Sequence, residues 1–135
     1  MAKYALVCGV NTYMNDAFRP LFYGINDAVR VEKLLSVCWY QVDMLPVRKL
    51  RDDSWREAIG RLVTNAAPND TILFYFSGHG CSLDGEQFVL PYNSNFDGRH
   101  LENGIDLREV ADLTDKPCIN RLFVVDACRD LFQSK

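Results

Sequence analysis

Two short apolar runs without polar alternation limit the possible folds more than any other feature of the sequence. They are Thr71–Phe76 (TILFYF) and Arg121–Asp126 (RLFVVD), both rich in aromatic and β-branched residues. Unbroken runs of this length are typical of strands that are buried on both faces, as in parallel sheets. Thr71–Phe76 is therefore predicted to be a strand that is buried on both faces of a parallel sheet, and Arg121–Asp126 is predicted to be a further apolar strand.

The segments around these runs alternate between strand-like and helix-like patterns. Further strands are predicted over Lys3–Val10, Gln41–Val47 and Gln87–Tyr92. Helices are predicted over residues 26–38, from the capping box Ser54-Trp55-Arg56-Glu57 onward, and over Ile105–Leu113. Asn26 is expected to cap the first of these helices. This alternation predicts an α/β fold with a parallel or mixed sheet and helices on both faces.

The composition is that of one globular domain and excludes several classes of protein. A length of 135 residues with 48% hydrophobic and 24% charged residues excludes a disordered or collagen-like chain. The 15 basic and 18 acidic residues are interspersed, so there is no basic stripe and we expect no nucleic-acid partner. No apolar run approaches the roughly 20 residues needed to cross a bilayer, so no membrane partner is expected either.

The cysteines point to a reducing compartment, and the cytoplasm is the expected location. Their number, five, is odd and they form no CxxC pair, which argues against a secreted disulfide framework. Cys8 is predicted to be a core residue, and Cys81 is predicted to be a surface thiol in a loop. Cys81 and His79 lack further ligands nearby, so we expect no metal and no cofactor. His100, in a polar loop, is expected to be exposed.

His79 and Cys128 are the residues most suited to catalysis. Each lies just past the end of one of the two apolar runs, and functional groups of open α/β sheets collect where strands end. If the two strands are neighbours, the imidazole and the thiol reach one cleft, where the imidazole can activate the sulfur. Taken alone, either residue is more often structural. Their joint pattern favours a Cys–His pair.

The motifs around these residues resemble those of the caspase-like (clan CD, peptidase C14) cysteine peptidases. The resemblance covers nearly the whole chain, and the 49-residue separation of His79 and Cys128 matches the caspase arrangement. Asp126 stands where animal caspases have Gln, and Asp130 where they have Gly. The sequence is therefore more similar to paracaspases, bacterial caspase-like proteins and metacaspases. The motifs that carry the resemblance are Tyr4–Val10 with Gly9 and Asn11, Asn26-Asp27-Ala28, Tyr75–Gly80 and Val124–Arg129.

The resemblance implies a three-layer sandwich with about four core strands in the order 2-1-3-4. It implies that Cys128 is the nucleophile, that His79 is the general acid/base, and that the N–H groups of Gly80 and Cys128 form the oxyanion hole. Asp27 and Asp126 would line the S1 pocket and select substrates with Arg or Lys at P1. Two structural readings stay open: Asp27 as an acid in a first helical turn, and Asp126 as a carboxylate that orients a loop.

The resemblance also implies two strands and a helix after the nucleophile, the small-subunit (p10) portion. Residues 1–135 correspond to the large-subunit (p20) domain alone, so Arg121–Asp126 is expected to be an unprotected edge strand. A p10-like partner chain or a second copy of this chain would cover it. The chain is then a separated subunit, a fragment or a natural short form, and processing after Lys135 is one hypothesis for its terminus.

Two classes of function follow. The first is a cysteine endopeptidase that cleaves after Arg or Lys through a thioester acyl-enzyme, with a peptide or protein as its substrate. The second is a catalytically silent caspase-like module that acts through protein contacts. A flavodoxin-like or receiver-like binding domain fits the length, but the acidic cluster and lysine of a receiver are not evident.

Overall fold

The computed structural model describes residues 1–45 and 52–128, apart from the side chains of Asp52, Asp53 and Cys128. Its secondary structure alternates between strands and helices along most of the chain. The elements in chain order are β1 (Lys3–Gly9), α1 (Gly24–Val37), β2 (Gln41–Leu45), α2 (Asp52–Asn65), β3 (Thr71–Leu83), β4 (Glu86–Val89), β5 (Asn95–Phe96), β6 (Leu101–Glu102), β7 (Ile105–Asp106), α3 (Leu107–Leu113) and β8 (Asn120–Cys128).

Four parallel strands form the core of the main sheet, in the spatial order β2-β1-β3-β8. The predicted order 2-1-3-4 is thus confirmed, with β8 as the fourth core strand. β3 lies at the centre and pairs with β1 over Lys3–Gly9 on one side and with β8 over Asn120–Cys128 on the other. Its central position explains the unbroken apolar run, since residues 72–76 are buried.

β3 is much longer than predicted. The strand continues beyond Phe76 to Leu83, because its distal part pairs antiparallel with β4. Asp84 and Gly85 make the hairpin turn with φ angles of 51° and 81°, as the Asp-Gly pair favours. The prediction that His79 lies past a strand end is therefore wrong: the Gly-His-Gly segment lies inside β3.

The ends of the other elements differ from their predicted bounds by a few residues. β8 includes Cys128, which was predicted to follow the strand, and β4 ends at Val89 rather than at Tyr92. The helix predicted over Ile105–Leu113 begins at Leu107, capped by the Asp106 carboxylate, which accepts the Arg108 N–H at 2.9 Å. The end of the strand predicted over Gln41–Val47 lies outside the described residues.

Both predicted helix caps are wrong. α1 begins at Gly24, which places Asn26 inside the helix. Asn11, which follows β1 after Val10, substitutes for the missing cap, because its side-chain oxygen accepts the Ile25 N–H at 2.8 Å. α2 has already begun by Asp52, so Ser54 lies in its first turn and is not an N-cap.

Helices cover the two faces of the sheet and give a three-layer sandwich, as the sequence predicts. α1 packs on one face through Ala28 and Leu35, against Ala5, Val7 and Tyr75 of β1 and β3. α2 and α3 cover the opposite face. The buried residues of that second core are Leu6, Cys8, Val10, Trp55, Ala58, Ile59, Leu62, Ala66, Ile72, Phe74, Phe76, Val89, Ile105 and Val110.

Two expectations about cysteines can now be compared with the fold. Cys8 is fully buried in the core, as predicted. Cys81 is also buried, so the prediction of a surface thiol is wrong, and the reason is the extension of β3 through this residue. Among the described helices, none combines the length and the apolar character that a bilayer crossing requires.

Candidate active site

His79 and Cys128 are directly paired in the backbone register of two neighbouring strands. β3 and β8 run parallel from the pair Thr71 and Asn120 to the pair His79 and Cys128. Strands hydrogen-bonded in this way lie about 4.8 Å apart. The two residues that the sequence singles out are therefore brought together at the end of β8.

The His79 imidazole is buried and oriented by a loop carbonyl. Its exposed fraction is 1%, and its Nε2 lies 2.6 Å from the carbonyl oxygen of Arg19. A carbonyl only accepts, so Nε2 carries the proton of the neutral ring and Nδ1 holds the free lone pair. Nδ1 is buried and has no hydrogen-bond partner among the described residues. Nδ1 is therefore the ring nitrogen that is free to accept a proton.

The surroundings of His79 favour the neutral ring. Burial lowers the pKa of His79 below its usual value of 6.5, because desolvation penalises the cation. The hydrogen bond to the Arg19 carbonyl opposes this shift, and the positive charge of Arg19 adds to it. The imidazole is therefore unprotonated at neutral pH and able to accept a proton.

Tyr13 contacts both the backbone and the ring of His79. Its hydroxyl accepts the His79 N–H at 2.8 Å, and the two ring centroids are 5.2 Å apart. Sequence reasoning missed Tyr13 and Arg19, since both lie in the polar stretch after β1 that reads as a plain loop. The available signal was a pair of aromatic residues, Tyr13 and Phe18, in a segment that is mostly polar.

An acidic pocket lies beside His79. It has a volume of about 220 Å³ and contains Asp27 of α1 and Asp126 of β8. Asp126 is paired in register with Ser77, two residues before His79 on the same strand. The structure thus brings together both carboxylates that the sequence comparison assigned to S1. The residues that line the pocket are Leu21, Tyr23, Gly24, Asp27, Ser77, Gly78 and Asp126.

The two carboxylates give this region a negative electrostatic potential, as their effect on the pKa of Tyr75 indicates. The pKa of Tyr75 is raised, first by burial and then by the negative charges of Asp27 and Asp126, against a hydrogen bond with the Ser77 side chain that lowers it. Both charges therefore act on the same part of β3. A cationic group that entered the pocket would meet two acceptors and, among the described lining residues, no positive charge.

The Gly80 N–H is directed toward β8. The Leu90 N–H donates to the His79 carbonyl at 2.9 Å, and consecutive residues of a strand direct their N–H and C=O groups to opposite sides. Gly80 therefore presents its N–H to the side on which β8 ends at Cys128. A Cβ at Gly80 would come within 2.8 Å of the Ala127 Cβ, so glycine is needed for the close approach of β8.

The other titratable candidates are either buried or remote. Burial raises the pKa of the Cys81 thiol to about 11, and burial together with the charge of Asp43 raises that of Cys8 further. His100 is exposed, as predicted, and lies 3.6 Å from Asp97. Within residues 1–45 and 52–128, no group of three or more His, Cys, Asp or Glu side chains is placed to hold a metal ion.

In this α/β sandwich a buried imidazole lies on the strand next to the one that carries Cys128. The sequence matches the caspase domain family, peptidase C14, over residues 2–135, and the chain belongs to that family. A search among curated proteins found no match.

A solved structure supports the same fold. The crystal structure of protein GSU0716 from Geobacter sulfurreducens superimposes with a TM-score of 0.79 at 17% sequence identity. The match covers 95% of this chain and 51% of that chain, so this chain spans about half the length of its structural neighbour.

Proposed function

We propose that this chain is a cysteine endopeptidase with a His79–Cys128 dyad that cleaves peptide bonds after Arg or Lys. One observation carries the proposal: the register of β3 and β8 pairs His79 with Cys128, beside a pocket that contains Asp27 and Asp126. Membership of the caspase domain family supports the reaction type. Cys8, Cys38, Cys81 and Cys118 are free thiols, which supports a reducing compartment, and we propose the cytoplasm.

In the proposed reaction, Nδ1 of His79 removes the proton of the Cys128 thiol, and the sulfur attacks the carbonyl carbon of the scissile bond. The negative oxygen of the tetrahedral intermediate accepts hydrogen bonds from the N–H groups of Gly80 and Cys128. The C–N bond then breaks, and the His79 imidazolium gives its proton to the departing amine. A water molecule, deprotonated by His79, hydrolyses the thioester and regenerates the thiol.

The Arg19 carbonyl stabilises His79 in both of its proposed states, the neutral base and the imidazolium. It is 2.6 Å from Nε2 and holds the ring in the tautomer that leaves Nδ1 free. When the ring becomes an imidazolium, the same carbonyl stabilises the Nε2 proton, which limits the cost of charging a buried histidine. The lowered pKa of His79 favours release of the proton to the leaving group.

The preference for a basic P1 residue rests on the pocket chemistry. A guanidinium or ammonium that leaves water needs carboxylate acceptors, and Asp27 and Asp126 line the same cleft from two different elements. No basic residue is among the described lining residues, so an acidic P1 side chain would find no cationic partner among them. We therefore propose a peptide or protein substrate with Arg or Lys at P1.

The proposal is tested with fluorogenic peptides that differ only at P1, with Arg, Lys or Asp in that position. We expect turnover of the Arg and Lys peptides, and loss of at least a hundredfold in kcat/KM for Cys128→Ala and His79→Ala. Asp27→Asn and Asp126→Asn each lower kcat/KM for basic peptides about tenfold. Asp84→Asn, at the exposed hairpin turn, is the matched control and leaves activity unchanged.

The exposed edge of the sheet supports a second candidate, a catalytically silent module that acts through protein contacts. In the described part of the chain, β8 pairs with β3 alone, and Leu122, Phe123 and Val124 are 41–47% exposed. We propose that a p10-like partner chain or a second copy covers this strand. If the wild type cleaves none of the peptides, even with such a partner segment supplied, the silent module replaces the peptidase.

A further inference from the structure

We propose that Tyr13 is a positioning residue for the His79 base: its hydroxyl replaces a missing strand partner of the His79 backbone, and its ring packs against the imidazole. Tyr13 contacts no reacting atom in this role and acts through His79. The inference rests on the proposed peptidase function, since it concerns the same histidine.

The His79 N–H lies at a gap between two strands that neighbour β3 on the same side. β1 ends its pairing at Ser77, to which Val10 donates, and β4 begins its pairing with β3 at Gly80. The Leu90 N–H reaches the His79 carbonyl at 2.9 Å, but the His79 N–H donates to the Tyr13 hydroxyl at 2.8 Å. A side chain from a loop therefore completes the hydrogen bonding of β3 at its catalytic residue.

The surrounding residues hold Tyr13 in place. Phe18 packs edge-on against its ring with centroids 5.5 Å apart, and the Met14 N–H donates to the Tyr92 carbonyl at 3.0 Å. Gly78 leaves space for the hydroxyl, because a Cβ there would come within 3.0 Å of the Tyr13 oxygen. These contacts fix the position of the phenol relative to β3.

One loop supplies both orienting contacts of the histidine. Tyr13 binds the backbone and packs on the ring, and Arg19, six residues later, accepts from Nε2. Asn11 closes this loop at its base, because its carbonyl accepts the Leu21 N–H at 2.7 Å. Movement of the loop would therefore displace the His79 backbone and ring together, and displacements of about 1 Å at a catalytic group reduce rates by up to about a hundredfold.

The Tyr13 hydroxyl accepts the His79 N–H throughout the pH range in which His79 titrates. Burial raises the pKa of Tyr13, against the hydrogen bond from His79, which lowers it. Tyr13 therefore stays a neutral phenol wherever His79 titrates. Within the described part of the chain, the charged or titratable groups that act on His79 are Arg19 and the Tyr13 phenol itself.

The test compares Tyr13→Phe with the wild type in the full chain. Phe keeps the ring contact and removes the hydroxyl, so we expect kcat to fall about tenfold while KM for an Arg peptide changes less than twofold. The matched control is Tyr4→Phe, which removes a hydroxyl 3.5 Å from the Asn65 carbonyl, remote from His79. This control leaves both constants unchanged.

A measurement independent of turnover separates positioning from failure of the proposed reaction. The chain has two histidines, so ¹⁵N NMR of the imidazoles follows His79 with the exposed His100 as an internal reference. In Tyr13→Phe we expect the His79 pKa to rise toward 6.5 as water gains access, and the Nε2–H tautomer to lose population. The resonances of His100, and those of both histidines in Tyr4→Phe, stay as in the wild type.

Two results would overturn the inference. The first is a Tyr13→Phe protein with the wild-type His79 titration and tautomer. The second is a Tyr13→Phe protein with a lower melting temperature but with the wild-type kcat and the wild-type His79 titration. That result would mean that Tyr13 only stabilises the fold. If the wild type cleaves no peptide, the peptidase proposal fails, and the NMR comparison still decides whether Tyr13 positions His79.

Discussion

β1 and β8 are the two parallel neighbours of β3, and their apolar sequences are alike, yet their surroundings differ. Ala5, Leu6 and Val7 of β1 are completely buried between the helical layers. Phe123 and Val124 of β8 are 41% and 44% exposed. An apolar run thus predicts that a strand belongs inside a sheet, but it does not say which polypeptide buries it.

The exposed strand also carries two of the candidate site residues. β8 carries Asp126 beside the acidic pocket and ends at Cys128, whereas β1 leads into the loop that holds His79. The candidate site therefore lies between a strand that is rigidly packed and one that is half solvated. The following experiments separate the contributions of these two strands.

The largest contrast is expected for truncation of one leucine in each strand. Leu6→Ala leaves a cavity in a fully buried layer and should lower the free energy of unfolding by about 3 kcal/mol. Leu122→Ala removes a side chain that is 47% exposed, and we expect a loss below about 1 kcal/mol. Urea unfolding of both variants measures the difference. Equal losses would mean that β8 is buried in solution, for example by a second copy.

A methyl group at Gly80 tests how closely β8 must approach β3. The added Cβ would meet Ala127 at 2.8 Å, so Gly80→Ala should cost about 1–3 kcal/mol of stability and at least tenfold in kcat/KM. Gly60 of α2 has no atom within 4 Å of an added Cβ. Gly60→Ala should therefore stabilise the helix by up to about 1 kcal/mol and leave activity unchanged. Full activity and stability in Gly80→Ala would contradict the need for a close approach of β8 at this position.

A charge on the exposed face of β8 should change association more than folding. Val124→Lys is expected to alter the free energy of unfolding by about 0.5 kcal/mol or less, because the side chain already meets water. Sedimentation velocity at rising concentration should show less self-association than in the wild type. Lys33→Arg, on the exposed surface of α1, is the control with no change expected. An unchanged sedimentation profile in Val124→Lys argues against β8 as the associating surface.

The smallest effect on stability is expected for substitution of Asp70, at the start of β3. The Asp70 side chain bonds the chain before β1, whereas its backbone carbonyl bonds β8. Its carboxylate accepts the Ala67 N–H at 2.8 Å and the Ala2 N–H at 2.7 Å, and its backbone carbonyl accepts the Asn120 N–H of β8 at 2.9 Å. The hydrogen bonds from Ala67 and Ala2 hold the pKa of Asp70 below its usual value. The stability that this carboxylate contributes is present above the unfolded pKa of about 3.9 and is lost as pH falls through the lowered pKa.

Asp70→Asn should remove that dependence and make acid unfolding less steep. Amide hydrogen exchange between pH 5 and 7 should show less protection at the β1 end, in Ala2 and Thr71, and unchanged protection at Asn120. A wild-type acid transition in Asp70→Asn, or equal loss of protection in both strands, would contradict the separate attachment of β1 and β8.

The sequence predicts much of this fold, because its central features are local. The apolar runs of β1, β3 and β8 and the periodicity of α1 predict these elements, whereas the order of the core strands was implied by the family resemblance. The extension of β3 was missed, since Gly78 and Gly80 read as the end of a strand. Pairing with β4 overrides that local preference, and Asp84-Gly85 was a hairpin signal that the prediction did not use.

For the candidate site, the sequence identifies the groups but not the contacts that orient them. His79, Asp27 and Asp126 occur in motifs that a family comparison reveals, and the structure brings Asp27 and Asp126 into one pocket. Tyr13 and Arg19 act from a loop about 60 residues away in sequence, through one hydroxyl and one backbone carbonyl. A backbone carbonyl has no side-chain signature, so sequence patterns do not reveal a contact of this kind.

The burial of Cys8 and Cys81 has a consequence for the labelling chemistry of this protein. Alkylating reagents attack thiolates, so these two sulfurs will not consume reagent at neutral pH. Cys38 and Cys118 are free and exposed, and they will compete with Cys128 for every equivalent added. Labelling of the proposed nucleophile therefore needs a Cys38→Ser, Cys118→Ser background, in which the stoichiometry of the label reports the reactivity of Cys128.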